Sequence, residues 1–121
     1  MYAKQDVTHA ILRTAVEKIR ARRFVSWEGM YAASDGEPGE DSCGVSLMHA
    51  DELDVVVVIT HYSASVEAAE PIEFGAYVRP ADDGSGRAVT GSMHNHCGRA
   101  LRAARGAGSF FEVQLLPHHH P

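Results

Sequence analysis

The sequence predicts an α+β fold: a mainly antiparallel or mixed sheet of about five to six strands, an N-terminal helix packed on it, and a short C-terminal helix. Three observations lead there. Apolar residues between Val7 and Ile19 recur at helical spacing. Short stretches rich in β-branched and aromatic residues follow, separated by Gly, Pro and Asp turns. The length, 121 residues, suits one domain, since domains of ~100–150 residues are the commonest size.

Val7, Ala10, Ile11, Ala15, Val16 and Ile19 define the face of the first helix. Asp6 or Thr8 is placed to cap its start, and Arg20, Arg22 and Arg23 lie at its end, where the helix macrodipole favours positive charge. Phe24 to Ala33 reads as a strand, residues 34–39 as a Gly/Pro loop, Cys43 to His49 as the next strand and Asp51 to Asp54 as a turn. Val55 to Tyr62 carries a β-branched run that predicts a central strand buried on both faces. Ser63 to Glu70 fits either a short helix or a loop. Ile72 to Val78 and Arg87 to Met93 flank Asp82-Asp83-Gly84-Ser85-Gly86 as a hairpin, in which the two aspartates are turn residues.

After His96 the pattern becomes helical, with Ala100, Leu101 and Ala104 apolar, Arg99, Arg102 and Arg105 beside them, and Gly106 as a stop. Ser109 to Leu116 closes the domain as a strand. The expected organisation is one domain over 1–117 and a His-rich tail over 118–121. Trp27, Tyr31, Val55, Val57, Ile59, Phe74, Phe110 and Val113 are the expected core.

Apolar residues make up 45% of the chain and charged residues 22%, a globular composition rather than a disordered one. The opening residues contain no apolar signal core, and no apolar run approaches the ~20 residues of a membrane span, so the expectation is a cytoplasmic protein with no membrane partner. Cys43 and Cys97 form no CxxC pair, which agrees with a reducing compartment and leaves a single bridge open. Net charge is −5 but unevenly spread: residues 1–33 carry +3, residues 34–73 carry −10 with no Lys or Arg, and residues 74–121 carry +2. The acidic middle is a solvated edge or a surface for a protein partner, and it argues against nucleic acid despite the arginine flank. Phosphate-binding glycine loops of the GxxxxGK[ST] or GxGxxG type are missing.

The sharpest chemical feature is His94-Asn95-His96-Cys97. On a strand the two histidines share a face and could grip one zinc ion. A catalytic zinc needs a third protein ligand and an open position for water, and Cys97, His49, His61, Asp41 and Glu40 are the candidates. Cys97 would also sit at a helix N-terminus, where a thiol's pKa falls toward that of a nucleophile. The run His118-His119-His120 reads as a loose tail able to bind divalent metals.

The segment Val89-Thr90-Gly91-Ser92-Met93-His94-Asn95-His96-Cys97 resembles the strand and HxHP motif of JAB/MPN (JAMM-type) metallopeptidases. Asp41-Ser42-Cys43-Gly44, about fifty residues earlier, is similar to that family's acid-x-Cys-Gly strand, and the helix over Val7–Ile19 fits its first helix. The resemblance implies a zinc held by His94 and His96, Asp41 as general base on bound water, and hydrolysis of a peptide or isopeptide bond. Cys97 stands where the family has proline, aspartate where it has glutamate, and the Ser-x-x-Asp that supplies the third ligand is absent. The function expected first is therefore a non-catalytic binding or regulatory protein, a degenerate domain of this kind that meets a protein partner through its acidic segment or a sheet edge. A zinc peptidase or isopeptidase is the alternative. Homo-oligomerisation is left open.

Overall fold

The computed structural model describes residues 9–33, 41–119 and 121. Among them the chain forms strands and no α-helix: β1 (Ala10–Thr14), β2 (Phe24–Ser26), β3 (Ser42–Ser46), β4 (Val55–Ile59), β5 (Ser63–Glu67), β6 (Tyr77–Pro80), β7 (Ala88–Thr90), β8 (His96–Ala100) and β9 (Phe110–His119). They assemble into a four-stranded sheet in the order β1-β4-β3-β2 and a five-stranded sheet in the order β5-β9-β8-β6-β7, antiparallel at every strand pair. This is a two-layer β-sandwich, which overturns the expected α+β fold with its two helices.

The Val-Val-Val-Val-Ile run of β4 organises the first sheet. Alternate side chains of a strand point to opposite faces, so a continuous β-branched run needs cover on both. Val56 and Val58 turn to one side and pack with Ile19, Val25, Cys43 and Ala50, while Ile59 turns to the other. On that other side it joins Phe24 and Val45 in the core between the sheets, against Val66, Val78, Cys97, Phe111 and Val113 of the second sheet. β4 is central, as its composition predicts, and it takes β1 as a partner along its whole length, Ala10 opposite Ile59 through Thr14 opposite Val55.

That pairing explains the missing first helix. Ile11, Ala15 and Ile19 do lie on one side of the chain, packed on the outer face of the first sheet, but spacing by four satisfies a strand's period of two as well as a helix's 3.6. Ile11, Thr14, Val16 and Ile19 are β-branched, which tips the local preference toward strand. The same ambiguity sits at Ala100 and Ala104. Both are buried, yet the backbone there is extended, with β8 paired to β9 and Ala104 bridged to Ile72.

Other boundaries move as well. Ser63–Glu67 is neither helix nor loop but the edge strand β5. The stretch expected as one strand from Phe24 to Ala33 ends at Ser26 and turns back on itself, with Val25 bridged to Tyr31. Asp51–Asp54 is a turn, and residues 81–87 link β6 to β7 as the expected hairpin. The expected loop at 34–39 lies outside the described residues. Of the expected core, Ile59 and Val113 are buried and Tyr31 and Val57 half-buried, whereas Trp27, Val55, Phe74 and Phe110 are exposed. On β9 the buried residues are Phe111 and Val113, which share a face that Phe110 cannot share.

β7 and β8 flank β6 and are both antiparallel to it, so they run parallel to each other with only residues 91–95 between them. The short crossover passes tightly over β6: a Cβ on Gly91 would stand 3.3 Å from the Val78 carbonyl carbon. It delivers the histidine motif to the end of the second sheet.

Candidate functional site

The crossover fixes the fate of each motif residue. Ser92 and Asn95 exchange backbone hydrogen bonds of 2.9 and 3.1 Å, which makes a tight turn with Met93 and His94 at its exposed tip. His96 opens β8, and its ring lies on the outer face of the second sheet, 4.5 Å from the Tyr77 ring and 5.7 Å from that of His119 on β9. Cys97 turns the opposite way, into the core between the sheets, and is 3% exposed. His94 and His96 are therefore not consecutive same-face residues of one strand, and the Cys97 sulfur is separated from the His96 ring by the sheet itself.

No helix begins at Cys97, so the macrodipole expected to activate it is absent. Burial pushes its thiol strongly upward, opposed in part by a hydrogen bond to Ser42. The outcome is a core thiol rather than a nucleophile. Cys43 is likewise buried, on the outer face of the first sheet, and desolvation pushes it up to about 11. The two cysteines belong to different core clusters and are free thiols, so the bridge left open by the sequence is not formed.

The other candidate ligands are dispersed. His49 accepts a hydrogen bond from the Ala21 N–H at 3.3 Å. His61 is bonded to the Thr60 hydroxyl at 2.7 Å and neighbours the rings of His9 and Tyr62. Asp41 and His61 line a cleft of about 390 Å³ with His118, whose Nδ1 accepts from the Ser42 N–H at 2.6 Å. Neither His94 nor His96 lines that cleft. Glu40 lies outside the described residues. Among the described residues no three His, Cys, Asp or Glu side chains converge on a point that could hold a metal ion.

A different feature of the surface was not foreseen. On the face of the first sheet that looks toward the second, Ala10 stands opposite Ile59, Leu12 opposite Val57 and Thr14 opposite Val55. Ile59 is in the shared core at 9% exposure, but the second sheet's cover ends there: Val57 is half-buried, Val55 is 58% exposed and Leu12 62% exposed. Leu47, half-buried and bonded through its N–H to the Val57 carbonyl, widens the strip. One end opens into a cleft of about 440 Å³ lined by Ala10, Leu47 and Ile59 together with Arg22 and Arg102. The other end runs into the exposed turn Asp51, Glu52 and Asp54. Among the described residues β1, which carries Leu12, is an edge strand with one side of its backbone unpaired in the sheet. In sequence terms the signal was the length of the apolar run in β4, longer on this face than one facing sheet covers.

Fold and surface together define an antiparallel β-sandwich with an uncovered apolar margin along one edge. No protein-family model matches the chain, and no curated protein matches it. Among solved structures, the crystal structure of the head fiber gp8.5 N base of bacteriophage phi29 is similar to it with a TM-score of 0.67, covering 93% of this chain and 97% of that one at 19% sequence identity. The likeness is one of fold. None of these comparisons bears on the metallopeptidase resemblance. Among the described residues no helix is long and apolar enough to cross a membrane.

Proposed function

We propose that the protein is a non-catalytic binding module that works as part of a larger assembly, and that it makes its contact through the β1 edge and the apolar strip beside it. The observation that carries this reading is the abrupt loss of cover between Ile59 and Val55, along a strand whose residues are otherwise built for burial. Contiguous exposed apolar surface flanked by charge marks interaction sites on soluble proteins. The fold likeness, over nearly the whole of both chains, to a protein of a phage head fiber supports a structural role in an assembly.

The strip also carries its own complement. Arg22 and Arg102 stand at one end and Asp51, Glu52 and Asp54 at the other. Two copies related by a two-fold axis, with their β1 edges antiparallel, would set the acidic turn of each against the arginines of the other while covering Leu12 and Val55 of both. A second copy is therefore the partner proposed, and the acidic segment contributes its turn to the contact.

Sedimentation velocity across a range of protein concentrations tests this. The expected result is concentration-dependent association that weakens with added salt, and a Leu12→Glu variant that stays monomeric while keeping its circular dichroism spectrum. A wild-type protein that is monomeric throughout, or a variant that associates equally well, overturns the reading.

A further inference from the structure

We propose that His96 and His119 form a cross-strand site for a divalent transition-metal ion on the outer face of the second sheet, a different place and a different ligand pair from those the sequence motif implies. The two residues are direct neighbours in the β8–β9 ladder, His96 opposite His119, and their ring centres are 5.7 Å apart with the planes tilted by 35°. Two imidazoles that bind one ion at Zn–N distances of about 2.1 Å place their ring centres roughly 5 Å apart. Small side-chain rotations would close the difference.

The His96 ring is held ready for this. Its Nδ1 lies 3.1 Å from the Ser92 carbonyl oxygen, which can only accept, so in the neutral ring this contact selects the tautomer with its proton on Nδ1 and its lone pair on Nε2. A backbone carbonyl that fixes the tautomer of a ligating histidine is the usual supporting contact of such a residue. Tyr77 lies against the same ring at 4.5 Å and is itself held under the Arg99 guanidinium at 4.6 Å, so the plane of the imidazole is fixed as well. Arg99 in turn is tied by two hydrogen bonds, 2.7 and 3.1 Å, to the Gly75 carbonyl. The sheet thus orients His96, while His119 is exposed beside it. Two imidazoles with open remaining positions suit a borderline cation such as Zn2+, Ni2+ or Cu2+, with water or a ligand from another molecule completing its shell.

The test is a ZnCl2 titration of the full chain, followed by calorimetry and by thermal melting, on the wild type and on His96→Asn, His119→Asn and His118→Asn. The expected result is binding that raises the melting temperature of the wild type, because the ion bridges two strands only when they are folded. Affinity should fall roughly tenfold or more, with the thermal shift lost, in both His96→Asn and His119→Asn. His118→Asn should leave both readouts unchanged, because that ring faces Ser42 on the other sheet. Binding that survives His96→Asn would belong to the terminal histidine run and would overturn the proposal, as would a wild type that shows no binding. Circular dichroism of each metal-free variant separates loss of the site from loss of the fold.

Discussion

The two sheets of the sandwich differ in how much of themselves they hide. In the first, every residue of β3 is buried, and a core cluster lies on each face. Its outer face is covered by the chain's own excursions: Ala15 and Ile19 after β1, Tyr31 after β2 and Ala50 after β3 all return to pack on it. Among the described residues the second sheet is covered on one face only. Its outer face carries Ser63, Ser65, Arg99, Phe110, Glu112 and Gln114, none of them buried. Polar side chains can meet there without desolvation, and that is where the His96–His119 pair sits. Among the described strand residues of the first sheet, exposed side chains occur only where cover stops, at Leu12, Thr14 and Val55. The comparison teaches that in a sandwich this small, side chains are left accessible at the margin of one sheet and on the outer face of the other.

The largest effect should come from adding bulk inside the doubly covered sheet. A Cβ on Gly44 would fall on the Ile59 carbonyl oxygen and come within 2.8 Å of Val58 Cγ1, with core on both sides and nowhere to shift. Gly44→Ala should cost about 4 kcal/mol or more. Ser65→Ala on the outer face of the second sheet should change stability by less than about 0.5 kcal/mol. Urea denaturation of the pair measures the contrast, and comparable losses would break it.

A smaller effect should come from the joint that ties the sheets together. Arg23, immediately before β2, donates from Nε and Nη2 to one oxygen of Glu67 on β5, at 3.2 and 2.9 Å, and from Nη1 to the Ser85 carbonyl at 2.9 Å. Arg87 approaches the other Glu67 oxygen at 3.8 Å. Glu67→Gln would leave the largely buried Arg23 guanidinium without its counter-charge, a loss of about 3 kcal/mol for a buried pair. The exposed pair Arg79–Asp82 offers the control, since Asp82→Asn should cost about 0.5 kcal/mol or less. Equal effects would mean that the sheets are held by their apolar core alone.

The sequence could be read for the parts of this fold that are local. The β4 run, the Asp51–Asp54 turn and the 82–86 hairpin all declare themselves through β-branching or turn chemistry. What misled was spacing by four, at Ile11–Ala15–Ile19 and Ala100–Ala104, because it fits both regular periods and only strand pairing decides between them. The arginine- and alanine-rich stretch after Gly98 favours a helix intrinsically, and pairing of β8 with both β6 and β9 overrides it. The candidate sites failed to be legible for a related reason. His119 lies beside His96 only through a ladder that extends β9 through the expected tail, a relation across more than twenty positions that no local pattern records.

The cysteines give the last test, because they report cover on the two faces separately: Cys43 under the outer cover of the first sheet, Cys97 between the sheets. Burial holds the folded Cys43 thiol protonated up to about 11, against an ordinary value of 9.0. Between those values the unfolded state binds fewer protons than the folded one, so stability falls as pH rises through the interval and is unaffected below it. The Cys43 contribution should reach about 2 kcal/mol at pH 11. The measurement is the difference in unfolding free energy between wild type and Cys43→Ala at pH 7, 9 and 10.5. The gap should be widest at pH 7, where only the lost packing counts, and should close as the unfolded thiol ionises. A gap independent of pH would show that the outer cover of the first sheet does not keep water from Cys43. The doubly covered sheet would then be no better shielded there than the bare face of its neighbour.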